Sequence, residues 1–198
     1  MDSSKDCLEN VEILLVISPP ERLKDNNVEL IRRLTENDRE ILIITSSQPS
    51  QYLHELYEAK GIDSGKISFI DTITKFAMGT VPDGVQRCRF LSSPSDLTSL
   101  SIAISESLKE IKEKKPALLI DSLNAMLIYL PSSDITKFMH FLTSKLRIMF
   151  LSGIYLAAED SLDPKIMSQI MTFTDRVINM DSESYSDSEA DSKEKDIN

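Results

Sequence analysis

Apolar residues fall into short unbroken runs, separated by segments in which they recur every three or four positions. Ile13 to Ile17 is continuous (Ile-Leu-Leu-Val-Ile) and is closed by Ser18-Pro19-Pro20. Ile41 to Ile44, Ile67 to Ile70 and the Ala117-Leu118-Leu119-Ile120 run repeat the pattern. Runs of this length without polar alternation fit strands buried on both faces. Between them, Leu30, Ile31 and Leu34 keep helical spacing, as do Leu53, Leu56 and Tyr57. The same holds for Leu97, Leu100, Ile104, Leu108 and Ile111, and for Ile135, Phe138, Met139, Leu142, Leu146 and Met149. Each set predicts a helix with one apolar side. Gly61 is placed to stop the second helix, and Ser95 or Asp96 to cap the one that starts near Leu97. A strand from Gly153 to Ala157, a helix with Ile166, Met167, Ile170 and Met171, and a last strand near Arg176 to Met180 complete the alternation. Strands alternating with helices predict an α/β fold: three layers, αβα, around a mostly parallel sheet. Residues 74 to 94, with Gly79 and Gly84, read as one long loop, of the kind that is usually functional or mobile. The five methionines Met126, Met139, Met149, Met167 and Met171 read as packing.

At 198 residues one domain is expected, with a core that needs no metal or disulfide. Cys7 and Cys88 stand alone, which predicts a reducing, cytoplasmic setting. The net charge is -10, and residues 181 to 198 carry half of it: seven acids against two lysines. That segment has almost no apolar content and reads as a disordered acidic tail. The organisation predicted is a 1–10 extension, an 11–180 domain and the 181–198 tail. An acidic chain without a basic stripe is not expected to bind nucleic acid. No apolar window is long enough for a membrane span, and the start has no signal-peptide pattern, so neither insertion nor export is expected.

In an open parallel sheet, ligands sit outside the carboxyl ends of the strands. Asp121-Ser122 lies at such an end and has the form of a magnesium-side carboxylate motif, although a helix cap would look the same. A phosphate loop needs glycines between the first strand and first helix, so that successive N–H groups converge on the anion. The segment here, Ser18 to Asn27, contains none. Pro19 and Pro20 remove two donors, and Glu21 and Asp25 add charge of the wrong sign. Arg22 and Lys24 are the residues there that could touch an anion. His54 and His140 read as surface histidines without a second ligand, and Glu159-Asp160 as solvated charge.

Ser18-Pro19-Pro20 after the first strand, the Ile41 to Gly61 unit with Gln48-Pro49, Phe69-Ile70-Asp71, Leu118 to Leu123 and Asp175-Arg176-Val177-Ile178 together resemble an archaeal RecA/KaiC-type domain across residues 11 to 180. The resemblance implies a P-loop NTPase fold and ATP binding, in families often found in signalling, motility or clock assemblies. Hydrolysis there needs a phosphate loop and a carboxylate after the second strand. Thr45-Ser46-Ser47-Gln48 stands in place of that carboxylate and cannot act as a general base.

Two expectations follow. One is a non-catalytic, pseudo-ATPase module with a degenerate phosphate loop, which acts in regulation or signalling by binding a protein partner or another copy of itself and carries no cofactor. The other is an atypical ATPase or phosphotransferase that binds Mg-ATP, with Asp121 on the metal, Ser122 beside it, and Arg22, Lys24 or the loop cations Lys75, Arg87 and Arg89 on phosphate.

Overall fold

The strand-forming runs assemble as their patterning requires, into one sheet of seven parallel strands. The computed structural model describes residues 11–111 and 116–180. The expectations for the 1–10 extension, the 181–198 tail and Cys7 fall outside these residues. In chain order the elements are β1 (Ile13–Ser18), α1 (Leu23–Glu36), β2 (Ile41–Thr45), α2 (Ser50–Ala59), β3 (Ile67–Asp71), α3 (Thr74–Met78), β4 (Cys88–Phe90), α4 (Leu97–Glu110), β5 (Ala117–Asp121), α5 (Leu123–Met126), α6 (Ser132–Met149), β6 (Ser152–Ala158), α7 (Pro164–Met171) and β7 (Arg176–Asn179).

Alternate residues of each central strand feed opposite cores, which is why these strands read as unbroken apolar runs. Ile41 and Ile43 of β2 pack with α1 and α2, through Ile31, Leu34, Leu53 and Tyr57. Leu42 and Ile44 pack on the other face with α4, α6 and α7, through Leu100, Leu108, Leu142 and Ile170. The layers are therefore α1 and α2, the sheet, and α4 to α7.

Strand order is β4-β3-β2-β5-β6-β1-β7. From β2 the chain steps outward to β3 and β4, and from β5 it steps the opposite way to β6. The helices that follow β2 and β5 lie on opposite faces, so the sheet's switch point, and its natural crevice, falls between the carboxyl ends of β2 and β5. Thr45 ends β2 and pairs in register with Asp71 on one side and Asp121 on the other.

The expected loop at 74 to 94 is not structureless. It holds α3 and the short edge strand β4, separated by Gly79 and Gly84, both at positive φ. Gly79 caps α3 in the left-handed conformation that glycine adopts without strain. Asp96, not Ser95, caps α4, accepting from Ser99 N at 2.9 Å. Four of the five methionines pack on the core; Met171 instead is 45% exposed. No described helix is long and apolar enough to cross a membrane.

Candidate functional site

The strand ends gather buried polar groups. Asp121 is 5% exposed at the end of β5, and its neighbour Ser122, joined by a cis peptide, is buried as well. Ser47 Oγ donates to Asp121 Oδ2 at 3.2 Å, and Ser46 N donates to Asp121 O at 3.2 Å, which ties the β2 loop to β5. Burial pushes the Asp121 carboxyl up to about 6, against the opposing pull of the Ser47 hydroxyl and the Asn27 amide.

Asn27 comes from the buried side of α1. Its Oδ1 accepts from Tyr57 OH at 2.6 Å, while its Nδ2 is buried and has no hydrogen-bond partner. That nitrogen falls short of hydrogen-bond geometry, yet it lies close enough to favour the ionised form of Asp121. Tyr57 is wholly buried; burial first, and the Asp121 charge second, hold its hydroxyl well above the usual phenol value.

Asp71, one strand over, is also buried but fully engaged. It accepts from Ser50 N (2.7 Å), Ile73 N (3.0 Å), Thr74 N (2.8 Å) and Thr74 Oγ1 (2.6 Å). It pins the starts of α2 and α3 to β3, which is a structural role. Thr72 Oγ1 donates to Thr45 O at 3.0 Å and closes the same row.

The β1–α1 connection carries hydrogen bonds of its own. Pro19 and Pro20 carry no N–H, and Pro20–Arg22 forms a 3-10 turn in which Arg22 N donates to Pro19 O at 2.9 Å and Leu23 N donates to Pro20 O. Two of the backbone donors at this connection are therefore absent and two are spent within the turn. Beside it, Asn26 Nδ2 donates to Ser18 Oγ at 2.8 Å.

The four residues singled out from sequence do not converge. Asp121 and Ser122 lie together at the crevice. Arg22 instead lines a groove on the outer face of α1 with Asp25, Glu29, Arg32 and Lys60. Lys24 donates to Tyr52 OH at 2.5 Å and lies over its ring. Of the loop cations, Lys75 stays on the carboxyl side of the sheet in α3, but Arg87 precedes β4 and pairs with Glu40, which precedes β2, so it lies at the amino ends of the strands. Arg89 is bound to Glu106 and Glu110 of α4. Sequence reasoning missed Asn27 and Tyr57. Asn27 stands three, four and seven positions before Leu30, Ile31 and Leu34, so a polar residue on an apolar stripe was the available signal.

Other candidates resolve simply. His54 pairs with Glu58 at 3.6 Å, and His140 meets the Phe173 ring edge-on. Cys88 donates to Ser50 Oγ at 3.3 Å, and burial pushes its thiol up to about 12, which rules out a thiolate at neutral pH. No group of three or more His, Cys, Asp or Glu is arranged to hold a metal among the described residues. Magnesium does not need one, because a single carboxylate with water and phosphate oxygens suffices. Asp121 could supply that carboxylate.

Seven parallel strands with helices on both faces, and a crevice at the carboxyl ends of β2 and β5, define a three-layer α/β domain. The structure is similar to that of the KaiC-like protein PH0186 from the hyperthermophilic archaeon Pyrococcus horikoshii OT3, with a TM-score of 0.62 and 14% identity over 89% of this chain and 75% of that one. It is also similar to the uncharacterized protein PH0321 from Pyrococcus horikoshii, solved in complex with an unknown peptide, with a TM-score of 0.66 and 14% identity over 85% of this chain and 76% of that one. At this identity the likeness shows the fold alone. No curated protein matches the chain in sequence. The chain belongs to the family of unknown function DUF7504, matched over residues 11–180.

Proposed function

We propose that this domain is a RecA/KaiC-like module that works by binding a polypeptide, a partner protein or a second copy, rather than by hydrolysing nucleotide. The observation that carries the reading is the β1–α1 turn, in which two prolines and a closed 3-10 turn occupy the place of an anion nest. After β2, Thr45 Oγ1 donates to Gln48 O at 2.6 Å, and Ser46 and Ser47 supply hydroxyls, so this loop offers no general base.

Support for a polypeptide ligand comes from the rim. Phe76, Met78 and Val81 from α3 and the segment after it, with Ile128 after α5, are exposed apolar side chains. Phe76 meets Tyr129 edge-on at 5.9 Å, which joins the two segments at the carboxyl side of the sheet. Clustered exposed apolar groups mark interaction surfaces. That a structural neighbour was solved with a peptide accords with this reading.

The second reading, a magnesium-dependent nucleotide enzyme, is favoured by Asp121 itself. A buried carboxylate held at about 6 costs stability, and a bound cation would offset that cost. Phosphate release from Mg-ATP separates the two. Equal background release by the wild type and Asp121→Asn is expected; turnover lost in Asp121→Asn would establish the enzyme instead.

A further inference from the structure

α6 carries a stripe of side chains that the sheet does not use. Asp134, Lys137, Phe141, Lys145 and Ile148 recur at steps of three or four, which places them on one side of the helix. Ile135, Phe138, Leu142 and Leu146 take the buried side. Between α6 and its neighbour α4 runs a groove of about 510 Å³, lined by Ile102 and Ser105 of α4's outer side and by Phe138 and Phe141. Ile102, Phe141 and Ile148 are 54%, 48% and 78% exposed. Large apolar side chains gathered on one face mark a surface built to be covered. Lys145 Nζ donates to Ser105 Oγ at 2.5 Å and lies over the Phe141 ring, 5.8 Å from its centroid, which joins the two walls. That ammonium has no carboxylate partner among the described residues. Asp134, near the start of the stripe, is half-buried with Lys137 at 3.6 Å.

The stripe is complementary to itself. In a two-fold contact, residue i of one copy meets j of the other and j meets i. With two copies of α6 antiparallel and the axis between residues 139 and 140, Asp134 faces Lys145 of the second copy. The same axis sets Phe141 against Phe138 in the groove, and Ile148 against Pro131, which is also exposed. One axis thus pairs opposite charges, fills the groove and covers Ile148. Asp134 and Lys145 are eleven residues apart on one helix, about 16 Å along its axis. A single copy cannot bring them together.

We propose that the α4–α6 face is the interface between two copies of this chain, α6 of each lying antiparallel in the groove of the other, with Phe141 as the anchor and Asp134 against Lys145 fixing the register. The contact lies on a helical layer rather than at the strand ends. It stands apart from the rim and holds whether or not the crevice takes nucleotide. Two helices a side make a small face, which suits a weak, reversible dimer.

The test is sedimentation equilibrium of the full chain up to about 0.5 mM, enough to populate a contact of micromolar affinity. Every chain compared carries Met78→Ser and Ile128→Ser, which removes the rim as a second route to association. With α6 intact, a dimer is expected. Asp134→Lys alone sets lysine against lysine across the axis, and Lys145→Glu alone sets acid against acid, so each should raise the dissociation constant by at least about tenfold. An equal mixture of these two chains should recover the dimer, because both facing pairs then carry opposite charges. A local effect of either substitution on α6 would not be rescued by mixing. Phe141→Ser should abolish association while circular dichroism stays that of the parent chain. A monomer across the whole concentration range would overturn the proposal. So would a dimer indifferent to all three substitutions, or a mixture no more associated than its components.

Discussion

Tyr57 OH donates to Asn27 Oδ1 at 2.6 Å, joining α2 to α1 beside the buried Asp121. The bond fixes a buried polar side chain of α1 beside that carboxylate. Tyr57→Phe would leave Asn27 Oδ1 buried without its donor. Urea unfolding should show a loss of about 1 to 3 kcal/mol, with the fold retained because the ring still packs on Phe69.

Asp121 makes stability depend on pH with a definite sign. Its folded pKa, about 6, lies above the ordinary carboxylate value, so the folded chain holds the proton more tightly than the unfolded one. Its contribution is then most favourable below pH 4, declines as pH rises to about 6, and is flat beyond. Two pKa units correspond to roughly 3 kcal/mol. Asp121→Asn should therefore raise the unfolding temperature at pH 7.5 and bring no gain at pH 4, as read by thermal melts at both values. A destabilised mutant at pH 7.5 would contradict this.

Asp71, by contrast, is expected to be indispensable to the fold. Asp71→Ala strips acceptors from Ser50 N, Ile73 N and Thr74 N at once. Denaturant titration should show a loss of at least about 3 kcal/mol, and hydrogen exchange should rise at the starts of α2 and α3.

The rim should separate binding from stability. Met78 and Ile128 are 65% and 74% exposed, so Met78→Ser with Ile128→Ser should change stability by no more than about 0.5 kcal/mol. Self-association in sedimentation, or affinity for a bound polypeptide, should fall by an order of magnitude. Unchanged binding would move the interaction surface elsewhere.

Much of the fold was legible because the central strands carry apolar residues on both faces. Ile41 to Ile44 announces itself by serving two cores at once. β4 was not legible: three residues at the sheet's edge, half-buried, with Arg89 at the centre, give no periodic signal. α3 is five residues with one buried side chain, too short for an apolar stripe to emerge. At the site, Asp121-Ser122 could be read from its place after a buried strand. Its partners could not, since Asn27 and Tyr57 meet it only through the packing of α1 and α2. Arg22 and Lys24 were placed by proximity in sequence to β1, but the 3-10 turn and the first turn of α1 direct them to the outer face and to Tyr52.

The central proposal is that the β1–α1 turn leaves no working nucleotide site, and thermal unfolding with and without millimolar Mg-ATP tests it most directly. A ligand at about 100 times its Kd adds about 2.7 kcal/mol, worth roughly 5 to 10 °C for a domain of this size. The account predicts no shift for the wild type or for Asp121→Asn, each measured against its own ligand-free melting temperature. A rise of several degrees in the wild type that disappears in Asp121→Asn would contradict it.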